Sequence, residues 1–371
     1  MRVVIFCHSL VSDWNHGNAH FLRGICTELL ARGHALDVYE PADAWSVSHL
    51  VAEHGETPIA GFRRAYPALR SRRYGPELDL DAALASAQLV LVHEWNDHAL
   101  VQRIGEHRRR NGHYRLLFHD THHRSITEPD AMAAYRLEHY DGVLAFGAVI
   151  RDLYRQLGWA QRAWTWHEAA DTRIFRPLTG ESRRGDVVWV GNWGDDERAS
   201  ELDEFLLEPI RALRLQALVH GVRYPADALA RLAEAGIAYG GWLPNYETPR
   251  VFARHAATVH VPRRPYVKAL PGVPTIRVFE ALACGIPLVC APWEDTEGLF
   301  EPGADYLVAR SGAEMKRHLD AVIRDRDLAR ELAEHGRRTI LARHTCAHRV
   351  DELLRIHAEL VGRTRTVGLA V

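Results

Sequence analysis

The stretch Pro271-Gly-Val-Pro-Thr-Ile-Arg-Val-Phe-Glu-Ala-Leu-Ala-Cys-Gly-Ile-Pro-Leu-Val-Cys290 predicts a short helix followed by a strand. Pro274 and Thr275 are typical of a helix start, because proline is tolerated in the first turn and threonine can cap free amides. Gly285 is typical of a helix end. The apolar run from Ile286 to Ala291 then predicts a buried strand. The helix is otherwise apolar on most of its surface, so we expect it to be buried.

Two charged residues, Arg277 and Glu280, interrupt that apolar surface and share one face of the helix. One interpretation is a ligand site, in which the amides at the helix start bind a phosphate and Glu280 accepts hydrogen bonds from a ribose diol. The other interpretation is a structural ion pair between the two side chains. The residue types alone leave both interpretations open.

The rest of the chain alternates short apolar runs with amphipathic segments. A strand over Arg2–Cys7, a helix over Ala19–Arg32 and a strand over Ala35–Tyr39 begin this pattern. Further strands are predicted at Leu89–His93, Tyr114–Phe118, Gly142–Phe146, Asp186–Gly191, Gln216–His220, Val259–Val261 and Tyr306–Val308. This order predicts an α/β protein with doubly wound sheets. Residues 43–81 give no clear order of elements.

Composition limits the class of protein. The 371 residues suffice for two domains, and a formal charge of −2 provides no bulk attraction to nucleic acid or anionic membranes. The five cysteines have no metal-type spacing, which favours reduced thiols and a cytoplasmic location. No signal peptide is predicted, and no apolar stretch reaches the roughly 20 residues of an integral membrane segment. The first loop has only Gly17 of the dinucleotide fingerprint, so an NAD site is poorly supported.

The run Phe279-Glu-Ala-Leu-Ala-Cys-Gly-Ile-Pro-Leu-Val289 resembles the nucleotide-sugar motif of group 1 glycosyltransferases with the GT-B fold. The segment His167–Pro177 is similar to the crossover of that family, and the CgeB-like spore-maturation branch is a candidate within it. The resemblance implies two Rossmann-like doubly wound domains that face each other across a cleft. It implies an acceptor domain over residues 1–170, a donor domain over 171–345, and a helix and tail over 346–371 that pack back on the first domain.

The resemblance also implies an activity: transfer of a hexosyl group from a UDP-, GDP- or dTDP-sugar to a hydroxyl acceptor of unspecified class. It implies no metal, no cofactor and retention of anomeric configuration. In that family the glutamate of the motif binds the donor ribose, which corresponds to Glu280. Many members carry a second glutamate eight residues earlier, where this chain has Gly272. That departure bears on the retaining mechanism.

A departing diphosphate needs positive charge and aimed amides, and the second half of the chain offers both. Arg198 and Lys268 are similar in place to the basic pair of the family, and they are the first candidates. The further donor-binding candidates are Asn192, Arg263, Gly272, Thr275, Arg277 and Glu280. Each cation has the alternative interpretation of an exposed surface charge.

Polar residues follow the predicted strands of the first half. In the family, a histidine at the end of one strand lies near the transferred sugar, and His119 corresponds to it. In an inverting enzyme, His119 or Asp120 would act as the general base. Glu94, with the loop residues His16, Gly17 and Asn18, is a candidate for contact with the acceptor or the diphosphate. Structural hydrogen bonding at the strand ends, and a tight turn at Gly17, are the alternatives.

Three other functions are compatible with the same residues. A nucleotide-sugar 2-epimerase of the same fold would form product from the donor alone, and a non-catalytic binding protein would bind the donor without turnover. A metal-dependent hydrolase would use the cluster His119-Asp-Thr-His-His123 with Glu94 or Asp97. The last of these would lose activity on chelation.

Overall fold

The computed structural model of the chain describes residues 1–368. The strands are β1 (Arg2–Phe6), β2 (Ala35–Pro41), β3 (Arg72–Tyr74), β4 (Leu89–His93), β5 (Arg115–Asp120), β6 (Gly142–Ala145), β7 (Ala163–Thr165), β8 (Gly185–Val190), β9 (Ala217–His220), β10 (Ile237–Tyr239), β11 (His255–His260), β12 (Leu288–Cys290) and β13 (Leu307–Val308).

The helices are α1 (Ala19–Ala31), α2 (Trp45–His54), α3 (Thr57–Ala65), α4 (Leu80–Leu84), α5 (His98–Arg110), α6 (Arg124–Thr127), α7 (Pro129–Ala133), α8 (Ala148–Gln156), α9 (Ala199–Leu202), α10 (Glu208–Leu213), α11 (Ala226–Glu234), α12 (Thr248–Ala253), α13 (Arg264–Ala269), α14 (Ile276–Cys284), α15 (Gly312–Arg324), α16 (Arg326–Arg343) and α17 (Cys346–Gly368). A π-helical turn, Asp203–Leu207, joins α9 to α10. The stretch 199–213 is therefore not one regular α-helix.

Internal contacts divide the chain into two compact units. The first contains Met1–Asp13, Phe21–His167 and the C-terminal stretch from Cys346. Its sheet has the strand order β3-β2-β1-β4-β5-β6-β7, and every neighbouring pair is parallel. The central strands β1 and β4 are almost completely buried, which explains why they are continuous apolar runs.

The second unit contains Glu168–Thr345 and, in addition, the short segment Trp14–His20. Its sheet is also parallel, in the order β10-β9-β8-β11-β12-β13. The core of this unit packs side chains of the central strands against the helices that cover the sheet. The predicted fold class, two Rossmann-like units with parallel sheets, is confirmed.

The opening stretch forms the helix that the sequence predicts. Helix α14 begins after Thr275 and ends before Gly285, whose φ of 65° lies in the left-handed region that favours glycine. The strand after it is shorter than predicted, because β12 begins only at Leu288, after Pro287. A proline has no amide to donate to a sheet, which disfavours an earlier start.

Candidate functional site

In the second unit, the side chain of Glu280 is the centre of a buried polar network. It is completely buried, and its Oε1 accepts hydrogen bonds from His20 Nδ1 at 2.8 Å and Asn245 Nδ2 at 2.7 Å. Its Oε2 accepts from Arg277 at 2.5 Å. The structural ion pair that the sequence left open is therefore present. A carboxylate has about four acceptor positions, so these three bonds leave about one for a ligand hydroxyl.

The charge of Glu280 is stabilised by its surroundings. Burial by itself would favour the neutral acid, but the positive charge of Arg277 and the hydrogen bonds from His20 and Asn245 outweigh that effect. The pKa of Glu280 is consequently lowered. This carboxylate stays ionised in the interior because its donors are already in place.

His20 and Asn245 are functional candidates that the sequence did not indicate. The amide of Asp171 donates to His20 Nε2 at 2.8 Å, so the ring proton is on Nδ1 and points at Glu280. The ring of His20 also stacks on Phe175, with centroids 3.9 Å apart. His20 and Glu280 are separated by 260 residues in the sequence, and no local pattern reveals such a pair.

The start of α14 is held by an acidic side chain rather than by its own cap residue. Thr275 occupies the cap position but makes no capping bond, and its hydroxyl pairs with His260 Nε2 at 3.0 Å. The amide of Ile276 donates to Glu168, which also accepts from Asn18 Nδ2 at 2.9 Å. Burial raises the pKa of Glu168 to about 8. The first helical amide is therefore occupied by a carboxyl group of the chain itself.

The loop residues Gly17 and Asn18 lie beside this helix start, as their candidacy for a diphosphate loop requires. A Cβ added at Gly17 would lie 3.7 Å from the side chain of Ile276, which is ordinary contact. Asn15, with a φ of 48°, accepts a hydrogen bond from the Asn192 side chain. His16 is buried in the same segment. The structure thus brings the predicted loop and the predicted helix together within one unit.

Gly272 has a structural reason to be glycine. Its φ is 84°, and a Cβ at this position would lie 2.6 Å from Thr296 Oγ1 and 2.9 Å from Glu297 Cγ. Its amide donates to the carbonyl of Glu294 at 2.7 Å and is therefore engaged within the protein. The positive φ and the two neighbouring side chains disfavour any larger residue, including the second glutamate of the resembled motif.

Arg198 occupies the centre of a cluster of cations. Its guanidinium donates to the carbonyls of Val261 at 2.8 Å and Trp193 at 3.3 Å, and also to that of Asn192. Burial lowers the pKa of Arg198 to about 9, and the charges of Arg263 and Arg277 act in the same direction. Arg263 pairs with Glu197 and Arg277 with Glu280, so the three arginines keep a net charge of +1, which an anion would offset.

The remaining donor-binding candidates differ in how far their polar groups are already engaged within the protein. Arg263 donates to Glu197 Oε2 at 2.8 Å, which offsets part of its charge. Asn192 uses its amide group within the protein, since its Oδ1 accepts from the amide of Val222 at 2.9 Å. Lys268 is exposed on the short helix α13. The structure therefore groups Arg198, Arg263 and Arg277 electrostatically, while Lys268 stays a prediction from resemblance.

In the first unit, the carboxyl ends of β4 and β5 bring Glu94 and Asp120 close to one another. Both residues are completely buried. Glu94 Oε1 accepts from the amide and the hydroxyl of Thr121, at 2.7 and 3.1 Å, and Asp120 Oδ1 accepts from the amide of His122 at 3.2 Å. Among residues 1–368, neither Glu94 Oε2 nor Asp120 Oδ2 has a partner in normal hydrogen-bond geometry.

These two carboxyl groups favour their protonated forms. Burial raises the pKa of Asp120 to about 7, against smaller opposite effects from the His122 amide, Tyr154 and Arg124. Burial also raises the pKa of Glu94, and the charge of Asp120 adds to that effect. A buried carboxyl group with a pKa near neutrality is suited to general acid or base chemistry.

His119 lies at the same strand end in aromatic surroundings. Its ring centroid is 4.8 Å from Trp166, 5.2 Å from His93 and 5.8 Å from Phe21. Burial lowers the pKa of His119 to about 3, so the ring is neutral at physiological pH. Its Nε2 has no hydrogen-bond partner within the described residues. The side chain is therefore suited to accept or donate one hydrogen bond, and poorly suited to carry a positive charge.

The histidine-rich loop does not form a metal centre. Within residues 1–368, no group of three or more histidine, cysteine or acidic side chains is arranged to hold a metal ion. His123 Nδ1 pairs with the hydroxyl of Thr127 at 3.0 Å, and the rings of His122 and His123 are in contact, 3.9 Å apart. The metal-dependent hydrolase is thus disfavoured by the geometry of its own candidate ligands.

The structure has the fold of glycosyltransferases of the GT-B type. It aligns with a sucrose-phosphate synthase from Thermosynechococcus elongatus with a TM-score of 0.68 at 14% identity, covering 98% of this chain and 100% of that one. It aligns with HepE from Anabaena in complex with UDP with a TM-score of 0.67 at 13% identity, covering 97% of this chain and 100% of the other. An α-glucosyltransferase bound to UDP and DNA aligns with a TM-score of 0.69 at 11% identity, covering 96% and 99%.

The sequence gives independent support. Residues 198–355 match the profile of a family described as glycosyl transferase-like, and this region contains α14 and much of the second unit. No curated protein matches the chain. The structural matches confirm the predicted GT-B fold, and the family match over residues 198–355 agrees with the predicted class of glycosyltransferase. Among the described residues, no helix is long and apolar enough to cross a membrane.

Proposed function

We propose that the protein transfers a hexosyl group from a nucleotide sugar to a hydroxyl acceptor, with retention of configuration and without a metal ion. Residues 171–345 bind the donor, and residues 1–170 bind the acceptor. The observation that carries this proposal is the buried guanidinium of Arg198, which three backbone carbonyls hold in place and which lies close enough to the charges of Arg263 and Arg277 for them to lower its pKa. Two HepE structures and one α-glucosyltransferase structure that share the fold contain UDP or UDP-glucose, which supports a nucleotide-linked donor.

The cation cluster has the chemistry that a leaving diphosphate requires. Arg198 is fixed by three carbonyl groups, so its guanidinium needs little reorganisation when an anion arrives. Guanidinium groups bind phosphate through paired hydrogen bonds, and these are stronger than bonds between neutral groups. The charge that develops on the leaving group is then neutralised by arginines, so the proposal requires no divalent cation.

Glu280 contributes to the same donor site. In the proposed complex, its remaining acceptor position receives one ribose hydroxyl, while Arg277, His20 and Asn245 hold its two oxygens in place. The amides of Gly272 and Ile276 are already engaged with Glu294 and Glu168. We therefore assign the main phosphate contacts to arginine side chains rather than to the start of α14.

Calorimetric titration with UDP, GDP, dTDP and ADP tests the donor site and identifies the base. One diphosphate should bind, and Arg263→Ala should weaken it about tenfold, or about 1.4 kcal/mol. Arg264→Ala is the matched control, because Arg264 is the next residue but pairs with Glu201 instead. Adding EDTA should leave the affinity unchanged. Failure of all four nucleotides to bind, or equal losses in both variants, would contradict the proposal.

A second candidate is an inverting transferase in which Asp120 removes the acceptor proton. The pKa of Asp120, about 7, and the position of this buried carboxyl group at the end of a strand favour this alternative. Proton NMR of the sugar first released or transferred from an α-linked donor distinguishes the two. An α-configured product supports retention, and a β-configured product supports the inverting candidate. General-base catalysis contributes roughly 10²–10⁴-fold, so Asp120→Asn should lose that factor only in an inverting enzyme.

Incubation with the donor alone separates transfer from the other functions of this fold. A 2-epimerase would convert the nucleotide sugar to its epimer without any acceptor, and a binding protein would leave it unchanged even with acceptors present. We expect slow hydrolysis of the donor and no epimer. Formation of an epimer would refute the transferase proposal while leaving the donor site intact.

A further inference from the structure

The first unit contains a cavity that neither the family match nor the proposed reaction explains. It has a volume of about 450 Å³ and is formed by the loop after β1, the end of β2, the start of β3, and helices α2 and α3. Pockets of this size commonly hold small ligands. We call it the arginine cavity, because Arg63, Arg70 and Arg73 line it.

The three arginines provide charge that the protein does not neutralise by direct pairing. All three are exposed, and within residues 1–368 none of them forms an ion pair. Arg70 is held in place, since it donates to the carbonyls of Pro67 at 2.8 Å and Leu69 at 2.7 Å. Two acidic residues, Glu40 and Glu56, also line the cavity, so its side chains carry a net charge of +1.

One of these two acids is already engaged within the protein. Glu40 is buried, its Oε2 accepts from the amide of Leu10 at 2.8 Å, and its Oε1 accepts from the hydroxyl of Ser71. The buried Arg23 donates to the carbonyls of Leu10 and Val11, each at 2.8 Å. The wall around Val11 is therefore rigid before any ligand binds, which reduces the entropy lost on binding.

The cavity lies at the same edge of the sheet as the buried carboxyl pair. Carboxyl ends of parallel strands meet at one edge, and the order β2-β1-β4-β5 puts two to three strand spacings between the end of β2 and Glu94 or Asp120. At about 4.8 Å a strand, this is roughly 10–15 Å, the length of two to three sugar units. Strand β1 lies between β2 and β4, and His8, just beyond its end, stacks on Trp45 of α2 with centroids 4.4 Å apart; Trp45 is 37% exposed.

We propose that the arginine cavity binds an anionic group, a phosphate or a carboxylate, carried by the acceptor two to three sugar units from the reacting hydroxyl. Trp45 provides an aromatic surface for the intervening sugar. The inference rests on the proposed function only in naming the ligand as the acceptor. The cavity, its three arginines and its rigid wall are properties of the first unit alone.

The test is binding of the labelled full chain, without nucleotide, to an array of neutral, phosphorylated and uronic-acid-containing oligosaccharides. Acidic glycans should be retained over neutral ones, and the two acidic classes show which anion is preferred. The double variant Arg63→Ala/Arg73→Ala should weaken retention at least tenfold. Arg64→Ala is the matched control, because Arg64 is exposed on α3 but does not line the cavity.

Retention of neutral glycans only, no retention at all, or equal binding by the double variant would overturn the inference. Titration of the double variant with nucleoside diphosphates separates this outcome from failure of the proposed function. If a diphosphate binds while acidic glycans do not, the transferase proposal stands and the cavity has another role. If acidic glycans bind while no diphosphate does, the anion site stands and the proposed donor site fails.

Discussion

The buried carboxylate of the second unit and the buried carboxyl pair of the first unit have opposite electrostatics. Glu280, Glu94 and Asp120 are all completely buried, and burial alone raises the pKa of any carboxyl group. The pKa of Glu280 is nevertheless lowered, whereas those of Glu94 and Asp120 are raised. The difference therefore comes from neighbours and not from depth.

The neighbours explain the two outcomes. Glu280 receives three side-chain donors, including the cation Arg277, and both of its oxygens are engaged. Burial has the largest effect on Glu94 and Asp120 and raises both pKa values, the charge of Asp120 raises that of Glu94 further, and Arg124 offsets only part of these effects. We infer that the first arrangement is a fixed binding frame, and that the second keeps a proton available near neutral pH. Mutations that remove each carboxylate should consequently have opposite effects on stability.

The largest effect is expected for Glu280→Ala. This change leaves the buried His20 and Asn245 and the partly exposed Arg277 without their common acceptor, and breaking a buried ion pair costs about 3–5 kcal/mol. Guanidinium chloride unfolding should show a clearly lower midpoint. Glu280→Gln keeps one acceptor oxygen for the histidine and the asparagine, so we expect it to lose less. A midpoint unchanged in Glu280→Ala would show that the network contributes little to stability.

The sequence predicted the elements that local chemistry determines. The strand Leu89–His93 and the helix that begins after Thr275 and ends before Gly285 have the predicted bounds, because an apolar run or a pair of boundary residues marks them. By contrast, the order of residues 43–81 was not predicted. Strand β3 is Arg-Arg-Tyr, which has no apolar pattern, and α3 begins after Glu56, which makes no side-chain capping bond.

Sequence patterns also fail to predict the contacts between distant residues that form the site. Glu280 and Arg277 were found from their shared helix face, yet three of the contacts that define the site come from residues far away in sequence. His20 is 260 residues from Glu280, Glu168 holds the start of α14, and Asn18 is 150 residues from Glu168. No periodicity or spacing encodes such contacts, because they arise only when the chain has folded.

Asp120→Asn should have the opposite sign from Glu280→Ala. The folded pKa of Asp120 is about 7, above its ordinary value of 3.8, so the native state loses stability as the pH rises from about 4 through 7. Asparagine keeps a neutral polar group there. Relative to the wild type, Asp120→Asn should therefore gain roughly 2 kcal/mol between pH 5 and pH 8. Denaturant midpoints at both pH values measure this difference.

Asp130→Asn serves as the control for that series, because Asp130 is an exposed residue of α7. Its midpoint should follow the wild type at both pH values. If the unfolding midpoint of Asp120→Asn also follows that of the wild type at both pH values, ionising Asp120 costs no stability. The electrostatic contrast between the buried carboxyl groups of the two units then disappears. A loss of stability at pH 8 would show that the charged form is favoured instead.

The smallest of these effects on stability is expected at Gly272, where the resembled motif of the second unit has a glutamate. Gly272→Ala puts a Cβ 2.6 Å from Thr296 Oγ1 in a backbone with φ of 84°, and strain of this kind costs about 1–3 kcal/mol. Gly17→Ala is the matched control, because its Cβ would lie 3.7 Å from Ile276 and its φ is not positive. Thermal unfolding should therefore separate the two alanine variants. If Gly272→Ala unfolds at the temperature of the wild type, the backbone tolerates a side chain there. Only in that case would Gly272→Glu be able to restore the missing carboxylate without displacing Thr296 and Glu297.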